Sequence, residues 1–94
     1  MKIVINVKHG GFGLSEEAEM KYKGILGITD ENFYPSINAP RDCPVLVALV
    51  EEMGERVNSC YSLLKVVEIP DDVDWYIEEN DGMEWIAEVH RTWS

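Results

Sequence analysis

The sequence predicts an α+β fold: a single small domain with a mostly antiparallel sheet of about four strands and two helices packed on one face. Three observations lead there. Apolar residues alternate at the start of the chain and again toward its end, the period of half-buried strands. Two stretches between them keep helical spacing, one opened by Ser15 and the other by Pro44. An Asp81-Gly82 pair divides the last apolar stretch, the signature of a hairpin. With 94 residues and 46% hydrophobic content, residues 1–94 suffice for one core and are too few for a second.

The elements follow in order. Residues 2 to 8 place Ile3, Ile5 and Val7 on one face and Lys2, Asn6 and Lys8 on the other, a strand with Val4 as its exception. His9-Gly10-Gly11-Phe12-Gly13-Leu14-Ser15 then connects this strand to a helix over about 16 to 26. Ser15 suits its N-cap, Glu16, Glu17 and Glu19 suit the positive end of its dipole, and Gly27 suits its C′ position. Ala18, Tyr22, Ile25 and Leu26 form its apolar stripe. Residues 28 to 41 hold Asn32, Pro35, Ser36, Asn38 and Pro40 without a sustained period and read as a loop or insertion, with a short extended piece around Phe33 as an option.

A second helix begins near Pro44, with Val45, Leu46, Leu49, Val50, Met53 and Val57 toward the core and Gly54 weakening it slightly. Leu63 to Ile69 reads as a strand buried on both faces apart from Lys65 and Glu68, stopped by Pro70. Val73, Trp75 and Ile77 alternate with Asp74, Tyr76 and Glu78, the pattern of another strand. For the hairpin that follows, a two-residue loop sets Trp75 against Glu88 and Glu79 against Glu84. A three-residue loop, Asn80 to Gly82, sets Val73, Trp75 and Ile77 against Val89, Ala87 and Trp85 as one apolar face, and is preferred on that ground. Trp85, Ile86, Val89 and Trp93 also fit a helix, so the last segment has a second reading.

Charge narrows the function classes. Eighteen acidic against eight basic side chains give a formal net charge of −10, which opposes direct binding to nucleic acid or to an anionic membrane. Any anionic ligand needs a local cluster of cations. Cys43 and Cys60 fit no zinc spacing and are too few for a disulfide scaffold, so free thiols in a reducing cytosol are expected. No apolar run approaches the roughly 18 residues of a membrane span, and the start lacks the apolar core of a signal peptide. A soluble protein of the cytoplasm is expected.

The glycine loop is the best candidate site. Glycine reaches φ > 0 and lets backbone approach a ligand, while the helix beginning at Ser15 offers free N–H groups to an anion. The loop is neither a dinucleotide fingerprint nor a P-loop, and a tight strand-to-helix connection explains the same glycines. Phe12 fills the core, stacks on a ligand or docks into a second subunit, the core being favoured. His9 and His90 stand at the ends of the first and last strands. If those strands are neighbours, both histidines approach one pocket with Arg41 and Arg91, whose guanidinium groups suit a bidentate grip on phosphate. The ligand-binding set is therefore His9, Gly10, Gly11, Phe12, Gly13, Ser15, Arg41, His90, Arg91 and Trp93. Two histidines without a carboxylate motif make a poor metal site, and no nucleophile with a positioned base stands out, so neither metal nor cofactor is expected.

Residues 66 to 89 carry nine acidic side chains, Glu68, Asp71, Asp72, Asp74, Glu78, Glu79, Asp81, Glu84 and Glu88, and no Lys or Arg. A solvated sheet face explains this, and so does a surface that imitates nucleic acid in a partner's basic groove. Calcium is set aside because the spacing is not that of an EF-hand. Trp75, Trp85, Trp93 and Tyr76 exceed what two thin helices cover, and self-association or base stacking would use the surplus.

Met1-Lys2-Ile3-Val4-Ile5-Asn6 with Gly10-Gly11-Phe12-Gly13-Leu14-Ser15, Val50-Glu51-Glu52-Met53-Gly54, Val67-Glu68-Ile69-Pro70-Asp71-Asp72-Val73, and Asp81-Gly82 through His90-Arg91-Thr92-Trp93 form a distinctive set. Together they resemble a family of small proteins encoded by tailed bacteriophages. The likeness covers most of the chain outside about 28 to 40, with Lys8-His9 and Cys43 departing from the family pattern. It implies a phage setting, in which small proteins act on host processes including immunity. The favoured expectation is a non-catalytic homo-oligomeric binder in the host cytoplasm that sequesters a nucleotide-derived immune signal. In that reading the glycine loop and Arg91 hold phosphate while aromatic side chains hold the base. The alternative is an acidic protein-binding inhibitor that blocks a host effector. An enzyme is the weakest reading.

Overall fold

In the computed structural model, which describes residues 1–89, the chain runs β1 (Lys2–Asn6), α1 (Glu16–Leu26), α2 (Pro35–Asn38), α3 (Pro44–Met53), a 3-10 turn (Gly54–Val57), β2 (Leu64–Glu68), β3 (Trp75–Asn80) and β4 (Met83–Glu88). The α+β class holds. The strands are all antiparallel, but they form two two-stranded sheets, β1–β2 and β3–β4, in place of one sheet of about four.

The cause lies on the outer edge of β1. The Val4 N–H donates to the Arg41 carbonyl at 2.9 Å, and the Asn6 N–H donates to the Glu84 side chain at 2.9 Å. Groups that would pair with a third strand are thereby taken, and β4 comes alongside β1 without a ladder.

The core sits between the β1–β2 sheet and α3, which presents Leu46, Val47, Leu49, Val50 and Met53 to Val4 and Leu64. α1 packs mainly on α3, α2 and the 3-10 turn, so it forms a layer outside α3 and not a second helix on the sheet. Its N-cap is Ser15, whose Oγ accepts from the Ala18 N–H at 3.2 Å, and Gly27 closes it in the left-handed conformation. Only half of its expected apolar stripe is buried: Ala18 and Tyr22 lie inside, whereas Ile25 and Leu26 are exposed. α2 is a single turn within the expected loop, begun by Pro35 and braced by the Asn38 side chain, which accepts from the Tyr34 N–H at 2.8 Å.

α3 starts at Pro44 and stops at Met53, because Gly54 leaves helical geometry at φ 60°, ψ −130°. The chain then tightens into the 3-10 turn and still buries Val57. β2 is less enclosed than its apolar run suggested. Leu64 is buried, Val66 and Val67 are half-buried and Leu63 is exposed, whereas its partner β1 is buried on both faces at Ile3, Val4 and Ile5.

The hairpin departs furthest from the sequence reading. Its loop has two residues, Asp81 at φ 51° and Gly82 at φ 87°, the double positive φ of the tight turn that suits the twist of a hairpin. Trp75 therefore stands opposite Glu88, Ile77 opposite Ile86, and Glu79 opposite Glu84. The three-residue loop is excluded, and the last segment is a strand through Glu88 and not a helix. Two glutamates face each other because a cation from elsewhere in the chain neutralises one of them.

Candidate functional site

Gly10 and Gly11 have φ of 131° and 105°, the backbone freedom expected of them. What approaches them is the chain's own hairpin turn. The Gly10 N–H donates to the Asp81 carbonyl at 3.1 Å. A Cβ built on Gly82 would fall 2.2 Å from the Gly11 nitrogen and 2.8 Å from that of Gly10, so two backbones meet where no side chain fits between them. A Cβ on Gly10 would likewise fall 2.6 Å from the Tyr61 carbonyl oxygen.

Asn6 fastens this junction from below. It is fully buried, and its Nδ2 donates to the carbonyls of Lys8 at 2.7 Å and Gly82 at 2.6 Å, while its Oδ1 accepts from the Leu63 N–H at 2.8 Å. Beside it lies Glu84, 9% exposed, gripped by Arg41 through Nη1–Oε1 at 2.6 Å and Nη2–Oε2 at 2.8 Å. The same guanidinium donates to the Val4 carbonyl at 3.3 Å and lies 3.6 Å from the centre of the Phe12 ring. Fork-on-fork pairing, a cation over an aromatic face and low exposure all strengthen this contact. Among the described residues every buried side-chain nitrogen and oxygen has a partner.

Of the expected site residues, Gly10, Gly11, Phe12 and Arg41 do come together, beside the hairpin turn. The Gly10 N–H and the Arg41 guanidinium are engaged within the chain. Gly13 stands apart, its carbonyl accepting from the Ser62 hydroxyl at 2.7 Å. Ser15 caps α1 and donates to the Arg56 carbonyl at 2.7 Å. With Glu16, Glu17 and Glu19 in its first turn, the start of α1 is already compensated by negative charge. His9 is exposed. His90, Arg91 and Trp93 lie outside the described residues, and with them the expected meeting of the two histidines.

Three residues of this cluster were not among the expected site residues: Asn6, Gly82 and Glu84. Glu84 had a signal. In the observed register it stands opposite Glu79 on a hairpin face shared with Trp75, Ile77, Ile86 and Glu88, and two carboxylates set directly across from each other call for a cation.

The hairpin itself is the most unusual surface. None of its apolar side chains belongs to the core cluster or packs against it. One face carries Trp75, Ile77 and Ile86, and the other carries Tyr76, Met83, Trp85 and Ala87, with Tyr76 and Trp85 each 43% exposed. Of the nine carboxylates from Glu68 to Glu88, Glu84 pairs with Arg41 and Asp71 with the Met1 ammonium, which holds the Asp71 carboxyl below the usual range. The other seven have no salt bridge among the described residues.

A cleft of about 510 Å³ lies elsewhere, at the start of α3, where Pro44, Val47 and Ala48 face Lys2 and Glu51. Those two charged groups pair with each other at 3.0 Å, and this contact raises the Lys2 pKa. Among the described residues no group of three or more His, Cys, Asp or Glu side chains could hold a metal ion, and no helix is long and apolar enough to cross a membrane. Comparison with protein-family models, with curated proteins and with solved structures finds no match.

Proposed function

We propose that this chain is a non-catalytic binding protein whose acidic hairpin engages a basic surface on a partner protein. In the phage setting suggested by its sequence resemblance, the partner is a host defence effector and binding blocks it. One observation carries this reading. The hairpin and its approach concentrate carboxylates without a single Lys or Arg from 66 to 89, while exposed Tyr76 and Trp85 remain off the core. Charge of one sign steers a partner of the other sign, and exposed aromatics supply the contact area that holds it. Sequestration of a nucleotide finds less support, because the Gly10 N–H and the Arg41 guanidinium already serve the hairpin.

The test compares the wild-type chain with a Glu78→Lys/Glu88→Lys variant. Both substitutions lie on exposed or half-buried hairpin positions, so the melting temperature should change little. The expected outcome is a purified host protein that binds wild type, releases it as salt rises, and ignores the variant. Thermal-shift measurements against cyclic nucleotides and ADP-ribose derivatives run beside it. A nucleotide that stabilises the protein and is recovered intact would overturn this reading in favour of sequestration.

A further inference from the structure

The hairpin has two edges, and only one is free of the body. On the β4 side, Glu84 reaches the Asn6 N–H and β4 lies in contact with β1. β3 is therefore the outer strand. The Val89 N–H donates to the Asp74 carbonyl at 2.9 Å, which makes Asp74 and Val89 a hydrogen-bonded pair. Antiparallel ladders alternate, so Tyr76, Glu78 and Asn80 turn their backbone groups inward to β4, while Trp75, Ile77 and Glu79 turn theirs outward. No partner is present for these outward N–H and C=O groups among the described residues.

We infer that the outer edge of β3 takes up an extended basic segment of the partner as an added strand. This rests on the reading of the hairpin as a surface for a basic protein, and specifies how it binds. A strand laid along Trp75 to Glu79 completes the backbone pairing, and its alternate side chains fall on the two faces of the ribbon. On one face they meet Trp75 and Ile77. On the other they meet Tyr76 and Glu78, whose side chains are joined by the Tyr76 hydroxyl donating to Oε1 at 3.1 Å. A Lys or Arg placed there pairs with the carboxylate and lies against an aromatic ring. The charge also chooses between occupants. Asp74, Glu78 and Glu79 along the edge repel the same edge of a second copy, the means by which exposed strands avoid self-pairing, and they attract a basic strand.

The experiment uses the whole chain and two probes, a short alternating Lys-Val peptide and the same peptide with every backbone nitrogen methylated. Methylation leaves charge and side chains in place and removes the donors a strand needs. The expected result is binding of the first, affinity about tenfold or more weaker for the second as two or three net hydrogen bonds are lost, and slowed exchange of the Trp75, Ile77 and Glu79 amides on binding. Equal affinity for both peptides overturns strand addition and leaves the electrostatic reading standing. Binding of neither overturns both. A dimer of the free protein that protects the same three amides overturns the choice of occupant.

Discussion

Arg41 and Glu84, 43 residues apart in sequence, grip each other through two parallel hydrogen bonds of 2.6 and 2.8 Å. Glu84 is 9% exposed and Arg41 sits over Phe12, so removing the guanidinium leaves a carboxylate with little access to water. Arg41→Ala should therefore cost about 3 kcal/mol, toward the lower end for a broken buried pair because the Arg41 side chain keeps some exposure. Glu84→Gln should cost less, since the amide oxygen still accepts from the Asn6 N–H. Urea unfolding followed by tryptophan fluorescence measures both. A loss below about 0.5 kcal/mol for Arg41→Ala, the scale of an ordinary surface change, would show that the pair does not hold the hairpin down.

Gly82 offers a second, steric test of the same junction. A Cβ there meets the Gly11 nitrogen at 2.2 Å, whereas one on Gly27 meets nothing within 4 Å, although both have positive φ. Gly27→Ala should cost about 1 kcal/mol for its backbone conformation alone. Gly82→Ala should cost clearly more and expose the hairpin to proteolysis, because backbone cannot move aside as a flexible side chain does. Equal costs for the two would mean that the turn docks loosely.

Asn6 provides the polar counterpart. With Asn6→Ala, the carbonyls of Lys8 and Gly82 and the Leu63 N–H lose their partners around a fully buried position. The expected loss is about 2–3 kcal/mol, the penalty of stranding buried polar groups, with faster amide exchange at Leu63. Asn6→Asp should not rescue it, since a carboxylate offers no donor to either carbonyl. Stability equal to wild type in Asn6→Asp would show that the two carbonyls are not held by Asn6.

What the sequence made legible was local. The limits of α1, Glu16 to Leu26, follow from Ser15 and Gly27 at its ends, and each signal acts within a turn of its target. The hairpin was legible as an element but not in register. Setting Glu79 opposite Glu84 looks unfavourable until Arg41 arrives from a segment read only as loop. The glycine loop shows the same limit. That Gly10 and Gly11 need positive φ is a property of glycine, but what comes close to them is a turn some 70 residues onward. A ligand and a hairpin ask the same of a glycine. The division into two sheets was hidden for a related reason, since the groups closing the edge of β1 are a loop carbonyl and a carboxylate.

Tyr22 carries a pH dependence of its own. The ring is 2% exposed and stacks on Phe33 at 6.1 Å, and the hydroxyl lies 3.3 Å from the Cys43 sulfur. Burial, then the hydrogen bond to Cys43, pushes its pKa from 10 up to about 12. Burial also acts to raise the Cys43 thiol, but contacts from the Tyr22 hydroxyl and the N–H groups of Leu46 and Val45 outweigh it and leave the thiol below its ordinary value. For Tyr22 the sign is definite. The folded state holds the proton after the unfolded chain has released it, so this contribution is complete below pH 10 and is lost as pH rises from 10 to about 12. Stability measured across that interval should fall, and Tyr22→Phe, which removes the ionisable group while keeping the stacked ring, should flatten the fall. An identical slope in the phenylalanine variant would assign the alkaline loss to other groups and leave Tyr22 with a packing role alone.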